Sequence, residues 1–173
     1  LTEIQAEDRA GVDALLDEYG IRRVEAISNA RRNALACVAL PTCGLAITEA
    51  ERVFPRVIDQ LETTLDELGI PDADITARMT GCPNGCARPY VAEIAFVGRS
   101  LDKYTIFLGG SPVGTRLARP FLDLVPLDQL IAALYPVLAA YRDGRETGEA
   151  FGDFVTRTGL EELRALIADE WRT

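Results

Sequence analysis

Asp74–Val97 reads DITARMTGCPNGCARPYVAEIAFV, and this stretch decides the fold. Asp74–Thr80 alternates in polarity and predicts a short strand; Ala92–Val97 is apolar and predicts a stronger one. Between them lies a loop carrying Cys82 and Cys86, with Pro83 and Gly85 set between the two thiols. Pro and Gly there let the backbone turn tightly and leave N–H groups free to point at sulfur.

Downstream, Tyr104–Leu108 predicts the next strand, joined to Ala92–Val97 by a turn at Gly98–Asp102 and ended by Gly109-Gly110. Phe121–Val125 predicts another short strand, Leu127–Tyr141 a helix despite Pro136, Phe151–Thr156 a strand, and Leu160–Trp171 a final amphipathic helix. Upstream, Thr48-Glu49-Ala50-Glu51 has the capping-box form, a hydroxyl followed three residues later by a carboxylate. It predicts a helix from Thr48 to Gly69, with Val57, Ile58, Leu61, Leu65 and Leu68 on its apolar face and a kink or a break at Pro55. Gly69 and Pro71 supply the stop. Asn33–Leu40 predicts a buried strand running into the loop after Pro41, and Ala10–Tyr19 a helix closed by Gly20. The order of elements predicts an α+β fold, a mixed β-sheet flanked by helices.

The chain has 173 residues, 18 Lys+Arg against 27 Asp+Glu, a formal charge of −9 and no histidine. The length fits one domain, with or without an appendage, and lets such a chain bury roughly 70% of its unfolded surface. Without histidine, Ser-His-Asp and Cys-His nucleophile systems are excluded, as are His-ligated zinc, copper and haem. Proton chemistry must use carboxylates, Lys, Tyr, Cys or a bound cofactor. The acidic balance argues against nucleic acid as a partner. The most apolar stretch, Ile131–Tyr141, is too short to span a bilayer, and the acidic start LTEIQAEDRA is unlike a signal peptide. No membrane association and a cytoplasmic, reducing setting are therefore expected, where four cysteines point to metal or redox chemistry more than to disulfides.

Those cysteines form two pairs, Cys37-x5-Cys43 and Cys82-x3-Cys86, each in a loop at a predicted strand end. Three readings stay open on spacing alone. Structural zinc prefers shorter knuckles than Cys-x5-Cys. Disulfides or plain buried thiols are the bland alternative. An iron–sulfur cluster takes four thiolates from irregular loops. Charge adds a second signal. Arg78–Arg119 holds six bases against Glu93 and Asp102, and Arg22, Arg23, Arg31 and Arg32 face only Glu25 just before Cys37. Of the 18 bases 17 are Arg, whose planar fork suits carboxylate and phosphate, although a solvated surface face explains any single one as well. Gly109–Thr115 lacks the Gly-Lys-Ser/Thr end of a P-loop and reads as a turn after a strand.

ACVALPTCGLAITEAERVFP (Ala36–Pro55), TGCPNGCARPYVAEIAFVG (Thr80–Gly98), YTIFLGG (Tyr104–Gly110), GTRLARPF (Gly114–Phe121) and FGDF (Phe151–Phe154) together resemble the C-terminal region of the sulfite and nitrite reductase family, hemoproteins with sirohaem and a [4Fe–4S] cluster. TGCPNGCARPY resembles the assimilatory sulfite reductases more than the nitrite reductases. The resemblance runs from about Asn33 to the end and implies a fold like the nitrite/sulfite reductase 4Fe-4S domain. It implies that Cys37, Cys43, Cys82 and Cys86 each bind one iron of the cluster, and that Cys86 also serves as the axial sirohaem ligand. Asn84 and Gly85 would lie against the cofactor. Arg116 would meet its carboxylates, with Arg31, Arg32, Arg78 and Arg88 as unranked alternatives.

The same resemblance implies the six-electron reduction of sulfite to sulfide, with electrons from ferredoxin or from NADPH through a flavoprotein. The alternatives are a nitrite reductase fragment with the same cofactors, or an apo or zinc-bound structural domain without activity. Family members run to several hundred residues, and their substrate-binding bases lie N-terminal to this region. The chain therefore resembles a C-terminal fragment: residues 34–173 the cofactor-binding domain, residues 1–33 the tail of a preceding one. It carries no catalytic residue of its own, and turnover is expected only together with the N-terminal remainder.

Overall fold

The computed structural model describes residues 2–168 and Trp171. Five strands form one mixed sheet in the order β1-β2-β3-β4-β5: β1 (Leu35–Ala36), β2 (Ala77–Thr80), β3 (Ile94–Ser100), β4 (Lys103–Leu108) and β5 (Arg119–Pro126). β1, β2 and β3 are parallel neighbours, whereas β3–β4–β5 is an antiparallel meander. The parallel part needs crossovers, and the antiparallel part needs only short turns. One crossover carries the helix α3 (Phe54–Glu67); the other is the segment from Gly81 to Glu93. The remaining helices are α1 (Arg9–Glu18), α2 (Asn29–Arg32), α4 (Leu130–Gly144), α5 (Phe151–Thr158) and α6 (Leu160–Ala165).

Strand alternation gives the sheet two unlike faces. Ala77, Met79, Ile94, Phe96, Tyr104, Ile106 and Leu108 are buried in the main core with Val57, Ile58, Leu61 and Leu65 of α3 and Leu134, Val137 and Leu138 of α4. Phe54 meets Phe96 edge to face at 6.4 Å, locking the start of α3 to β3. The register Arg78↔Ala95↔Phe107 and Thr80↔Val97↔Thr105 defines the other face. Small residues dominate there. Ala87, Ala92, Ala95, Val97 and Cys82 are buried but stand outside the main apolar cluster. The segment 81–92 crosses this face, with Tyr90 edge-on to Phe107 at 5.3 Å.

Several expectations change in detail. Thr48 caps no helix; its hydroxyl donates to the Tyr104 Oη instead, while the Glu51 N–H donates to the Cys37 carbonyl. α3 begins at Phe54, and Pro55 sits in the first turn, where its missing N–H leaves nothing unsatisfied; it starts the helix and does not kink it. Gly69, at φ +72°, closes α3, and the Ile70 N–H reaches back to the Leu65 carbonyl in the Schellman pattern. Phe151–Thr156 is helical: Phe151, Phe154 and Val155 are buried on one helical face, and a short apolar run fits both periods until packing chooses. β1 is two residues long, because the chain leaves the sheet at Cys37. α6 ends at Ala165, and residues 169 and 170 of the longer predicted helix lie outside the described residues. Pro136 is accommodated inside α4, as expected. Ala30 of α2 is buried in the main core, and Arg31 pairs with Glu62 and Asp59 of α3, so residues just before 34 pack on the domain.

Candidate metal and cofactor centre

The two cysteine loops meet at Gly81. The Cys37 N–H donates to the Met79 carbonyl at 3.1 Å and extends the ladder one residue beyond β1. The Gly81 N–H then donates to the Cys37 Sγ at 3.3 Å. The Gly81 carbonyl accepts from the N–H groups of Ile47 and Thr48 at 2.8 and 3.1 Å. One residue thus ties the end of the first cysteine loop to the start of the second. It must be glycine, because a Cβ would stand 2.5 Å from the Thr48 carbonyl oxygen and 2.6 Å from the Ala39 Cβ. Gly98 is required beside it, since a Cβ there would overlap the Gly81 carbonyl.

Inside the first loop the Cys43 N–H donates to the Ala39 carbonyl at 2.7 Å, and Ala39 is held at φ 46°. A positive φ at a non-glycine residue is strain that the surrounding contacts must sustain. The far end of this loop is anchored by Tyr104, whose hydroxyl donates to the Glu49 carbonyl at 2.8 Å. Burial, set against the Thr48 hydrogen bond, pushes the Tyr104 phenol up to about 12, so it stays a neutral donor. In the second loop Gly85 lies at φ +71° and Arg88 at φ 50°, and the Arg88 N–H donates to the Gly85 carbonyl at 2.8 Å. The Thr80 hydroxyl donates to the Cys82 carbonyl at 3.1 Å.

All four thiols are free. Cys82 is buried, Cys37 and Cys43 are half-buried, and Cys86 is exposed. Asn84 is exposed beside it, and Gly85 is half-buried. Among the described residues no three Cys, Asp or Glu side chains converge on a point fit for one ion.

Arg78 is the anomaly of the loop-covered face. It is 8% exposed, and one guanidinium nitrogen donates to the Arg88 carbonyl at 3.1 Å. Its Nε is buried with no partner. Burial, and then the neighbouring Arg88 charge, push its pKa down from the ordinary value. A guanidinium in that state lacks an anion. The other expected bases behave differently. Arg116 donates from Nε to the Gly109 carbonyl at 2.6 Å and from Nη2 to Asp153 at 2.8 Å. Arg31 is held by Glu62 and Asp59, and Arg32 reaches the Ile27 carbonyl from an exposed position. Of the bases expected at the cofactor, Arg78 and Arg88 lie against the second cysteine loop; sequence reasoning missed Arg52, which donates into the first loop, to the Leu40 carbonyl at 2.6 Å and the Thr42 hydroxyl at 3.1 Å. The junction at Gly81 and the support from Tyr90 and Tyr104 escaped sequence reasoning; the one available signal was the glycine directly before Cys82.

A mixed sheet whose strand ends carry two interlocked cysteine loops defines the class. Residues 28–173 match the nitrite and sulphite reductase 4Fe-4S domain, and the chain belongs to that family. The sulfite reductase [ferredoxin] of Synechococcus elongatus is 50% identical over 162 residues, 94% of this chain and 26% of the relative. The sulfite reductase [NADPH] hemoprotein beta-component of Methylobacterium nodulans is 48% identical over 160 residues, 92% and 26% of the two chains. The solved structure of the Mycobacterium tuberculosis NirA protein superposes with a TM-score of 0.75 at 28% identity, covering 92% of this chain and 31% of that one. Dissimilatory sulfite reductase I shares the fold at a TM-score of 0.59 and 13% identity. The chain spans about a quarter of the length of the curated relatives it matches.

Proposed function

We propose that this chain is the cofactor-ligating part of an assimilatory sulfite reductase, which reduces sulfite to sulfide with six electrons. The observation that carries the reading is the pair of cysteine loops held together through Gly81, with four free thiols on irregular backbone. Cys37, Cys43, Cys82 and Cys86 would each hold one iron of a [4Fe–4S] cluster. The Gly81 N–H already aimed at the Cys37 Sγ is a donor that a thiolate would keep. Cys86, the most exposed of the four, would also hold a sirohaem through its thiolate.

The residues present fit a polycarboxylate cofactor at one specific place. The unpartnered Nε of Arg78 lies under the second cysteine loop and offers a fork to a carboxylate. Arg116, already occupied by Asp153, is the weaker choice. When bound, the cofactors store electrons and present the metal that takes the substrate. The chain's residues hold that assembly in place and donate hydrogen bonds to its sulfurs. Leu35, Val38, Leu45 and Ile47 are exposed apolar side chains on and beside the first cysteine loop. They suit burial against the N-terminal remainder of a longer reductase, which would bring the bases that bind sulfite. The donor, ferredoxin or an NADPH flavoprotein, would serve that whole protein, in a reducing cytoplasmic setting.

Anaerobic reconstitution of the chain, followed by iron and acid-labile sulfide analysis and a visible spectrum, tests the cluster. Iron and sulfide in equal amounts, lost in the Cys82→Ser variant, are expected; a colourless, iron-free protein overturns the assignment. Assay of the parent enzyme with sulfite and with nitrite separates the two substrate anions.

A further inference from the structure

Resting on the cluster reading above, we propose that Tyr90 is a positioning residue that clamps the Cys82–Cys86 loop and so fixes where the Cys86 thiolate stands. The Tyr90 hydroxyl donates to the Pro83 carbonyl at 2.8 Å, inside the loop. Its ring lies directly beneath the loop's turn: a Cβ on Gly85 would come within 3.0 Å of the Tyr90 Cε2. The ring also meets Phe107 of β4, edge to face at 5.3 Å. The Tyr90 carbonyl accepts from the Ala118 N–H at 2.7 Å, which fastens the same residue to the segment entering β5. Tyr90 therefore spans from the rigid meander to the middle of the cysteine loop.

The loop's other supports sit at its two ends, the Thr80 hydroxyl on the Cys82 carbonyl at 3.1 Å and the Arg88 N–H on the Gly85 carbonyl at 2.8 Å. Asn84 and Cys86 are exposed, and the Gly85 N–H meets the Cys82 carbonyl only at 3.5 Å. A phenol that must donate to a carbonyl and a ring that must fill the space under Gly85 are two separable functions. Phe keeps the second and loses the first; Leu loses both.

The test uses Tyr90→Phe and Tyr90→Leu in the complete parent reductase, with and without its cofactors. In the cofactor-free protein, amide exchange over residues 84–88 should quicken roughly 3- to 10-fold in Tyr90→Phe, the scale of one lost hydrogen bond, and further in Tyr90→Leu. Exchange in α3 should stay unchanged. In the loaded protein, the reduction midpoint potential and the visible bands of the haem should shift in the same order, with Tyr90→Phe nearer the parent. Unchanged exchange over 84–88 in both variants overturns the clamp, whatever cofactor is present. Faster exchange in a protein that takes up no iron leaves the clamp standing and overturns the cluster reading. Faster exchange with unmoved potential and spectrum overturns the claim that the clamp sets the Cys86 position.

Discussion

The two faces of the sheet are built by opposite rules. The helix-covered face is filled by large apolar side chains, Met79, Ile94, Phe96, Ile106 and Leu108 against Leu61, Leu65 and Leu138. Its stability comes from apolar area removed from water, a quantity that tolerates small adjustments of shape. The loop-covered face holds Ala95, Val97, Ala92, a buried thiol and a buried guanidinium whose Nε has no partner. Little apolar area is available there, and the second cysteine loop is placed by hydrogen bonds to its backbone from Thr80, Arg78 and Tyr90. The helix-covered face holds the domain together, and the cysteine loops at the strand ends are fixed by close backbone contacts through Gly81.

Paired truncation and enlargement break this comparison most directly. Leu61→Ala on the helix face should destabilise by about 2–5 kcal/mol in urea unfolding, as buried Leu→Ala changes do, while the folded fraction still binds iron. Gly81→Ala should destabilise less, about 1–3 kcal/mol as overpacking does, yet abolish cluster reconstitution because the added methyl drives Thr48 and Ala39 away. Equal loss of iron binding in both variants would erase the distinction between core packing and loop positioning.

Arg78→Met reverses the usual sign. Removing a buried guanidinium with an unpartnered Nε should leave the cofactor-free chain as stable or more stable, by about 1 kcal/mol, in thermal unfolding. Retention of a carboxylated tetrapyrrole in the parent should fall. A clear loss of cofactor-free stability would mean that Arg78 is structural.

The smallest effect is on pH. Glu62 sits on α3 and ties down the residues before β1. Its carboxyl is held below the ordinary range first by the hydrogen bond from Arg31, against partial burial, with Ser28 adding a second donor. Folded Glu62 binds its proton less readily than unfolded Glu62. Its contribution is therefore complete above the ordinary carboxylate pKa and is lost as the pH falls through the lowered value. Glu93 runs the other way. It is buried at the start of β3 and accepts from the Thr76 and Gly152 N–H groups at 2.8 and 2.9 Å. Burial raises its pKa despite those donors, so the stability linked to its protonated form is present below the ordinary pKa and fades as the pH rises through the raised one. Stability against pH should show the acid-side slope flattened by about 1 kcal/mol or less in Glu62→Gln.

Much of this was legible in the sequence. The period of Val57, Ile58, Leu61 and Leu65 marked α3, the Gly69-Ile70-Pro71 stop marked its end, and the spacing of the four cysteines marked the candidate site. Local signals failed where a distant partner competed. Thr48 and Glu51 fit a capping box, but the Tyr104 phenol, 56 residues away, took the Thr48 hydroxyl. Phe151–Thr156 fits either period until the core beside Tyr141 selects the helix, with ring centroids 5.3 and 5.4 Å from Phe151 and Phe154.

The sequence by itself determined that a transition-metal site here must lean on Cys37, Cys43, Cys82 and Cys86, because without histidine the thiols are the soft ligands the chain can offer. Only the tertiary structure decided which arginine is left unpaired and how the two loops are joined. Arg78, Arg116 and Arg31 are the same residue to a sequence reader. Their partners, the Arg88 carbonyl, Asp153 and Glu62, lie 10, 37 and 31 positions away, and chain folding alone brings each one into reach. Gly81 likewise gains its meaning from Ala39 and Thr48, which approach it only when the parallel strands β1 and β2 pair.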